Sequence, residues 1–216
     1  MRLAVCLASR GLIHSRTIES IEKNIEDLNG AHEIKRFFTH NLPIPDAQNE
    51  LVEKALKWKA DCLFFVEEDN LIPKGVLKRM LLKNVDVVAV DYPVGEKKYS
   101  TICRKNGKIL WCGLGCSLIK GEVFKKLKKP YFRTDKTFRI ISKEPFEIIE
   151  ENIPNKYGGH DIWFGMSLNR IGILIDQLPN VVAGHIKPKN SDKLQLNDDF
   201  YNFEIWDEIL NYQNYN

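Results

Sequence analysis

The sequence predicts an α/β fold in which helices flank a mixed, mostly parallel sheet. In the first half of the chain, short apolar runs alternate with segments in which apolar residues recur at helical spacing. Turn-forming pairs such as Asn29-Gly30 separate these segments. Strands that alternate with helices pair in parallel, because each helix carries the chain back to the same edge of the sheet.

The first half holds the regular part of this pattern. Arg2 to Ala8 is a compact apolar run with strand character, and Ile18, Ile21 and Ile25 mark one face of the helix that follows. The predicted elements are, in order, a strand over 2–8, a helix over 15–28, a strand over 33–39, a helix capped by Asp46, a strand over 63–66, a helix with Pro73 in its first turn and a strand over 85–90.

The pattern becomes less regular after Tyr92-Pro93. The predicted elements there are strands over 109–112 and 117–119, a helix over 122–127, extended or hairpin structure over 138–149, a helix over 161–171 and strands over 173–175 and 181–185. We assign residues 1–187 to one domain.

Residues 188–216 are predicted to form a C-terminal extension with a helical tail. Several apolar residues can share one helical stripe, whose polar side is mostly Asp and Glu. These residues are Phe200, Phe203, Trp206, Ile209 and Leu210. Such an amphipathic helix favours packing on the domain, or a homodimer contact, over anchoring in a membrane.

Composition bounds the class of protein. A chain of 216 residues with 44% hydrophobic and 28% charged residues is long enough for one sizeable core. No apolar run approaches the roughly 20 residues that cross a bilayer, so we expect a cytoplasmic protein with no transmembrane segment. The five cysteines are odd in number, and we expect no disulfide framework.

Charge is distributed unevenly along the chain. The formal net charge is +3, but residues 96–143 carry 14 Lys or Arg against three Asp or Glu. Such a block is usually a solvated face, and it also suits an anionic partner such as a phosphorylated glycan, a nucleic acid or a membrane surface. Both interpretations stay open from the sequence.

Three carboxylates follow the apolar run Leu63 to Val66. Glu67, Glu68 and Asp69 stand where a buried strand ends, which is the edge at which ligands bind in open α/β sheets. Close carboxylates repel each other, and a divalent cation with bound phosphate oxygens removes that penalty. The cluster therefore predicts a cation site, with helix capping or solvent exposure as the structural alternative.

Two further residues suit such a site. His185 follows a small residue after an apolar run, which is a position for a metal ligand or for an ordinary histidine. Asp161 follows two glycines at a helix start, where it can cap the helix, act as a general base, or do both.

Several short motifs carry a family resemblance through their order and spacing. They are Ala8-Ser9-Arg10, Asp46-Ala47-Gln48-Asn49, Glu67-Glu68-Asp69 with Pro73, Gly113-Leu114-Gly115, Gly159-His160-Asp161 and Gly184-His185. In this order the chain resembles a nucleotide-sugar-dependent glycosyltransferase of the GT-A fold, similar to family 2, over about its first 187 residues. The resemblance implies a Rossmann-like GT-A domain that transfers a hexose from a nucleotide sugar, with a UDP-sugar expected, to a glycan or other hydroxyl-bearing acceptor.

The resemblance also implies a metal site and a catalytic base. Glu67 and Asp69 stand at the family's Asp-x-Asp positions, where Asp69 would bind Mn²⁺ or Mg²⁺ and His185 would complete the site. The longer Glu67 departs from that pattern, and Glu68 could substitute for it. Asp161 would be the general base of an inverting transfer.

A nucleotide pocket is implied at the ends of the first two strands. Gln48 occupies a position that is often Arg in such families. Trp111 would form a platform under a sugar ring, or it would be a core residue. The implied pocket consists of Ala8, Ser9, Arg10, Thr39, Asn41, Gln48, Glu67 and Glu68, with Trp111 beside them.

Three other functions fit parts of the pattern. A retaining GT-A enzyme would keep the fold and the metal and use Asp161 to orient the acceptor. A sugar-phosphate nucleotidyltransferase would normally carry a Gly-rich loop with a nearby Lys after the first strand, of which LASRGLIHSR offers little. A non-catalytic nucleic-acid-binding module is disfavoured, because the basic block lacks a recognisable motif.

Overall fold

The computed structural model describes residues 1–143, 146–152, 159–188 and 203–215. The helices are α1 (Ser15–Glu26), α2 (Ile44–Lys57), α3 (Val76–Lys83), α4 (Gly121–Lys126) and α5 (His160–Arg170). The strands are β1 (Arg2–Ala8), β2 (Glu33–Thr39), β3 (Cys62–Glu67), β4 (Asn70–Leu71), β5 (Val87–Asp91), β6 (Pro93–Val94), β7 (Tyr99–Lys105), β8 (Lys108–Trp111), β9 (Cys116–Lys120), β10 (Lys136–Lys143), β11 (Phe146–Asn152), β12 (Ile175–Val182), β13 (Gly184–Pro188), β14 (Phe203–Trp206) and β15 (Asn211–Tyr215).

Among the described residues, six strands form the central sheet in the order β12-β5-β9-β3-β1-β2. Strand β1 pairs in parallel with β2 and β3, and β5 pairs in parallel with β12. Strand β9 is antiparallel to both β3 and β5 and joins the two parallel parts. The prediction of a mixed, mostly parallel sheet flanked by helices is confirmed.

Two apolar cores cover the two faces of this sheet. Successive side chains of a strand point to opposite faces, so Ala4 and Cys6 pack in the core that contains α2, α4 and α5. Leu3 and Val5 pack in the other core, with α1 and α3. Because β1 is buried on both faces, its sequence is a continuous apolar run without polar alternation.

Two helix starts differ from the predicted positions. Helix α2 begins at Ile44 rather than at a capping Asp46, since Pro45 is compatible with the first helical turn. Helix α3 begins at Val76, because Gly75 adopts a left-handed conformation with φ +74° and separates Pro73 from the helix. Within the described residues, no helix is long and apolar enough to cross a membrane.

The carboxyl ends of three strands lie at one level of the sheet. Ala8, the last residue of β1, pairs with Thr39 of β2 on one side and with Glu67 of β3 on the other. Strand β13 lies across this edge, where His185 pairs with Asn70 of β4. This register brings residues more than one hundred positions apart in sequence to the end of β3.

The predicted C-terminal amphipathic helix is wrong in the described residues. Phe203–Trp206 form β14, which is antiparallel to β13, and Asn211–Tyr215 form β15, which is parallel to β7. Aromatic and β-branched residues favour strands, and pairing with the edges of β13 and β7 overrides the helical spacing. Phe200 lies outside the described residues. The described part of the tail therefore contains no helix through which the predicted homodimer contact could form.

Candidate functional site

The candidate site lies at the carboxyl end of β3, where Asp69 contacts two basic side chains of β13. Its Oδ2 lies 3.2 Å from Nε2 of His185 and accepts a hydrogen bond of 2.9 Å from Nζ of Lys187. Burial by itself would raise the pKa of Asp69, but its basic partners His185 and Lys187 outweigh burial and hold that pKa below its ordinary value. Asp69 is therefore a stable anion.

His185 is oriented so that Nε2 faces the site. Its Nδ1 lies 2.7 Å from the carbonyl oxygen of Pro93, and since a carbonyl only accepts, Nδ1 must carry a proton. His185 is a buried residue, and its ring meets Tyr92 edge to face at 5.5 Å. Metal-binding histidines commonly donate their second ring N–H to a backbone carbonyl, which leaves the other nitrogen for the ion.

Glu68 has a different partner. Its Oε2 accepts a hydrogen bond of 2.7 Å from the backbone N–H of Arg10, and its Oε1 accepts from Nε of the same residue. The backbone carbonyl of Glu68 accepts from the N–H of His14 at 3.1 Å. These bonds join the loop after β1 to the loop after β3, so Glu68 positions the predicted nucleotide pocket and does not join the Asp69–His185 pair.

Glu67 is the protonated member of the trio. Burial raises the pKa of Glu67 to about 8, and the charges of Asp69 and Asp161 add to the effect, against Lys187 and Arg10. Glu67 therefore binds its proton through much of the neutral pH range. An additional cation near Glu67 would favour its ionised form.

Tyr92 forms one wall of the site. Its Oη accepts a hydrogen bond of 3.0 Å from the N–H of Gly115 and lies 3.5 Å from Oε2 of Glu67. A Cβ at Gly113 would lie 2.4 Å from the Tyr92 hydroxyl, and one at Gly115 would lie 2.3 Å from Oδ1 of Asn70. The glycines of the Gly113-Leu114-Gly115 motif thus allow this loop to approach Tyr92 and Asn70 closely.

Asp161 lies in the first turn of α5, after Gly159 with φ +81°. Its Oδ1 accepts a hydrogen bond of 2.8 Å from the N–H of Ile162. Burial is the largest cause that raises the pKa of Glu67 and of Tyr92, and the charge of Asp161 is a smaller cause in both residues. Asp161 is therefore close enough to Glu67 and Tyr92 for its charge to act on both.

Trp111 lies in the core and does not form a surface platform. It is 6% exposed. Helix α5 approaches it so closely that a Cβ at Gly165 would lie 2.5 Å from Cβ of Trp111. Of the two interpretations of Trp111, the structure supports the core residue.

Three of the predicted nucleotide-pocket residues, Ser9, Thr39 and Asn41, lie at the ends of β1 and β2. The N–H of Ser9 donates to the carbonyl of Thr39 at 3.1 Å, and Oδ1 of Asn41 lies close to Gly11 in the neighbouring loop. Gln48 is 1% exposed and lies on the buried face of α2. Within the described part of the chain, Thr39 Oγ1 and Gln48 Oε1 are buried without a hydrogen-bond partner, which is the condition that a bound ligand or water would relieve.

Four residues at the site were not predicted from the sequence. His14 caps α1. Burial and the charge of Arg16 lower the pKa of His14, whereas the charge of Asp69 raises it. Only Lys187 gave a usable signal, since it stands two positions after His185, and alternate residues of a strand point to the same side. The four residues are His14, Asn70, Tyr92 and Lys187.

The side chains present fit a divalent ion that a diphosphate also binds. At metal–ligand distances of about 2.0–2.2 Å, adjacent ligands of one ion stand roughly 3.0–3.5 Å apart. The 3.2 Å between Asp69 Oδ2 and His185 Nε2 falls in that range. Within the described residues, no group of three or more His, Cys, Asp or Glu side chains could hold a metal. The protein would supply two ligands, and phosphate oxygens and water would supply the others.

Comparisons with known proteins reveal the fold alone. No family model and no curated protein matches the chain. A197 from STIV is similar over 86% of this chain and 85% of that chain, with a TM-score of 0.58 and 20% identity. HddC from Yersinia pseudotuberculosis (84% and 90% covered, TM-score 0.46, 10% identity) and a nucleoside-diphosphate-sugar pyrophosphorylase from Vibrio cholerae RC9 (81% and 90%, 0.45, 9%) are more distant. The likeness to A197 supports the mixed α/β architecture.

Proposed function

We propose that the chain is a metal-dependent glycosyltransferase that moves a sugar from a nucleotide-sugar donor, with a UDP-sugar expected, to a hydroxyl group of an acceptor. The observation that carries the proposal is the pair formed by Asp69 Oδ2 and His185 Nε2, 3.2 Å apart at the carboxyl end of β3. This is the edge of an α/β sheet at which nucleotide ligands bind. The charge of Asp161 acts on Glu67 at the same strand end, and in this proposal Asp161 supplies the base that a transfer reaction needs.

In this proposal Asp69 and His185 would hold Mn²⁺ or Mg²⁺. The ion would stabilise the negative charge that develops on the leaving diphosphate. The Glu68–Arg10 pair fixes the loop after β1, against which the nucleotide would lie.

Asp161 acts on the acceptor. It accepts the proton of the acceptor hydroxyl while that oxygen forms a bond to the anomeric carbon. The bond from the anomeric carbon to the diphosphate oxygen breaks, and the nucleoside diphosphate leaves with the electron pair. Attack on the face opposite the diphosphate inverts the anomeric centre, which is the outcome that we propose.

An Asp161→Asn variant tests the role of the base. Asparagine keeps the shape and cannot take a proton, so donor affinity should stay unchanged while turnover falls about 100- to 10,000-fold. Calorimetric titration with UDP and Mn²⁺ measures binding, and release of UDP from the donor measures turnover. Asp176→Asn is a matched control, because Asp176 also accepts a hydrogen bond from the following backbone N–H, at 2.7 Å. Equal loss of donor affinity and turnover would show that Asp161 is structural.

The products separate the related reactions. An inverting and a retaining transferase give opposite anomers, which proton NMR distinguishes. A sugar-phosphate nucleotidyltransferase would instead join a sugar phosphate to the α-phosphoryl group of a nucleoside triphosphate, which leaves pyrophosphate as the second product. Pyrophosphate release without transfer from a nucleotide sugar would replace the glycosyltransferase proposal by that one.

A further inference from the structure

One oxygen of Asp69 has two basic neighbours. Oδ2 lies 2.9 Å from Nζ of Lys187 and 3.2 Å from Nε2 of His185. The ammonium group of Lys187 thus contacts the same oxygen that would bind a divalent ion in the proposed function. Asp69 already has a cationic partner in this structure.

We propose that Lys187 is a resident cation that competes with the divalent ion for Asp69 and moves to the donor diphosphate when both ligands bind. The inference rests on the proposed function, because it assigns the role of Lys187 in the same metal and diphosphate site. It makes metal binding depend on the nucleotide.

The competition follows from charge. Lys187 and a divalent ion on one carboxylate oxygen would stand within a few ångströms of each other, and their repulsion is strong at a partly buried site. The side chains of Lys187 and Asp69 are 27% and 22% exposed, so water screens this repulsion only in part. One of the two cations must therefore leave Oδ2.

Lys187 is the group that is free to move. His185 is fixed by the bond from Nδ1 to the Pro93 carbonyl and by its edge-to-face contact with Tyr92. Lys187 carries its charge on a flexible four-carbon stem, and its side chain is more exposed than that of His185, which is 6% exposed. Rotation of the stem can transfer the ammonium group to a neighbouring anion while His185 stays in place.

A diphosphate supplies that anion. Its oxygens can receive Lys187 and also complete the coordination of the ion, so the nucleotide removes the competition at Asp69. Metal and nucleotide should then bind cooperatively, each raising the affinity of the other by the same factor. Without Lys187, no cation would have to leave Asp69 before the metal binds, so metal binding would depend less on the nucleotide.

The test is the affinity for Mn²⁺ of the full chain, measured from the electron paramagnetic resonance signal of free Mn²⁺ with and without UDP. In Lys187→Met the charge is lost, so Mn²⁺ alone should bind about 10-fold more tightly than in the wild type, and UDP should raise Mn²⁺ affinity less. Lys187→Gln is a second uncharged variant in case the first does not fold. Lys83→Met is the matched control, because Lys83 also pairs with one aspartate, Asp176, and is 28% exposed.

The outcomes separate the inference from the proposed function. Equal Mn²⁺ affinity and equal enhancement by UDP in the wild type, Lys187→Met and Lys187→Gln would overturn the inference. Loss of Mn²⁺ binding in Asp69→Asn would support Asp69 as a metal ligand and would leave the proposed function intact. Absence of Mn²⁺ binding in every protein, with or without UDP, would overturn both proposals.

Discussion

Glu67, Glu68 and Asp69 lie in three different environments. Asp69 is ionised beside His185 and Lys187, whereas Glu67 keeps its proton because burial and nearby carboxylates raise its pKa to about 8. Glu68 pairs with Arg10 in the adjacent loop. Mutual repulsion in the trio is thus reduced by the basic partners of Asp69 and Glu68 and by one bound proton on Glu67.

A Glu67→Gln variant tests the bound proton. Since the pKa of Glu67 rises on folding from its ordinary 4.5 to about 8, the folded state binds more protons between these values, and stability falls as pH rises through that window. Glutamine cannot ionise, so the free energy of unfolding of the variant should fall less steeply with pH than that of the wild type. The difference between the two slopes should reach at most about 1.4 kcal/mol per pH unit. Urea denaturation at pH 5 and pH 8 with EDTA measures the free energy of unfolding.

The exposed Glu33 provides the comparison for that experiment. It lies on the edge strand β2, and its side chain pairs with Arg2 at the surface. Glu33→Gln makes the same substitution at an exposed carboxylate and is the matched control. If Glu67→Gln and the wild type lose stability equally between pH 5 and pH 8, Glu67 does not hold its proton in the folded protein.

Among the elements, β13 does most to assemble the site. Its pairing with β4 sets His185 beside Asn70, and the N–H of Ile186 donates to the carbonyl of Asp69 at 2.8 Å. His185 and Lys187 therefore point to the same side, toward the Asp69 carboxylate. A one-residue shift of this register would turn both side chains away.

The close packing of α5 on β8 carries a second prediction. Alanine usually stabilises a helix relative to glycine, but a Cβ at Gly165 would lie 2.5 Å from Cβ and 2.6 Å from Cα of Trp111. Backbone atoms cannot yield easily, so Gly165→Ala should lower the free energy of unfolding by about 1–3 kcal/mol. Ser167→Ala on the same helix should change it by less than about 0.5 kcal/mol. Unchanged or higher stability in Gly165→Ala would contradict this packing.

The local sequence pattern correctly predicted the elements that can be recognised from their own residues. Strands β1 and β3 are recognisable because they are buried on both faces and consist of apolar runs. The C-terminal tail was mispredicted, since β14 and β15 are stabilised by pairing with distant strands. Lys187 was missed for the same reason, because β13 continues beyond His185 through its pairing with β14.

At the scale of the whole molecule, acidic residues from other elements pair with part of the basic block of residues 96–143. Lys129 pairs with Glu53 of α2 at 2.6 Å, and Lys136 pairs with Glu150 of β11 at 3.2 Å. These exposed pairs contribute little stability individually. They lower the net charge of the block's surface, which favours the interpretation of a solvated face, and the anionic acceptor stays a prediction.

The five cysteines test the compactness of both cores. All five are buried free thiols, and burial raises the pKa of Cys62 to about 11 and that of Cys103 to about 12. Since the thiolate is the reactive form, none should react with a thiol reagent at pH 8 in the native protein. All five should react in urea, which serves as the control. A thiol that reacts quickly without urea would show that its core is open there.

The most direct measurement is a crystal structure of the chain with Mn²⁺ and UDP, in which anomalous scattering locates the ion. The proposed function predicts a manganese peak within about 2.3 Å of both Asp69 Oδ2 and His185 Nε2, with diphosphate oxygens completing its coordination. UDP bound elsewhere, with no manganese at the end of β3, would contradict the proposal.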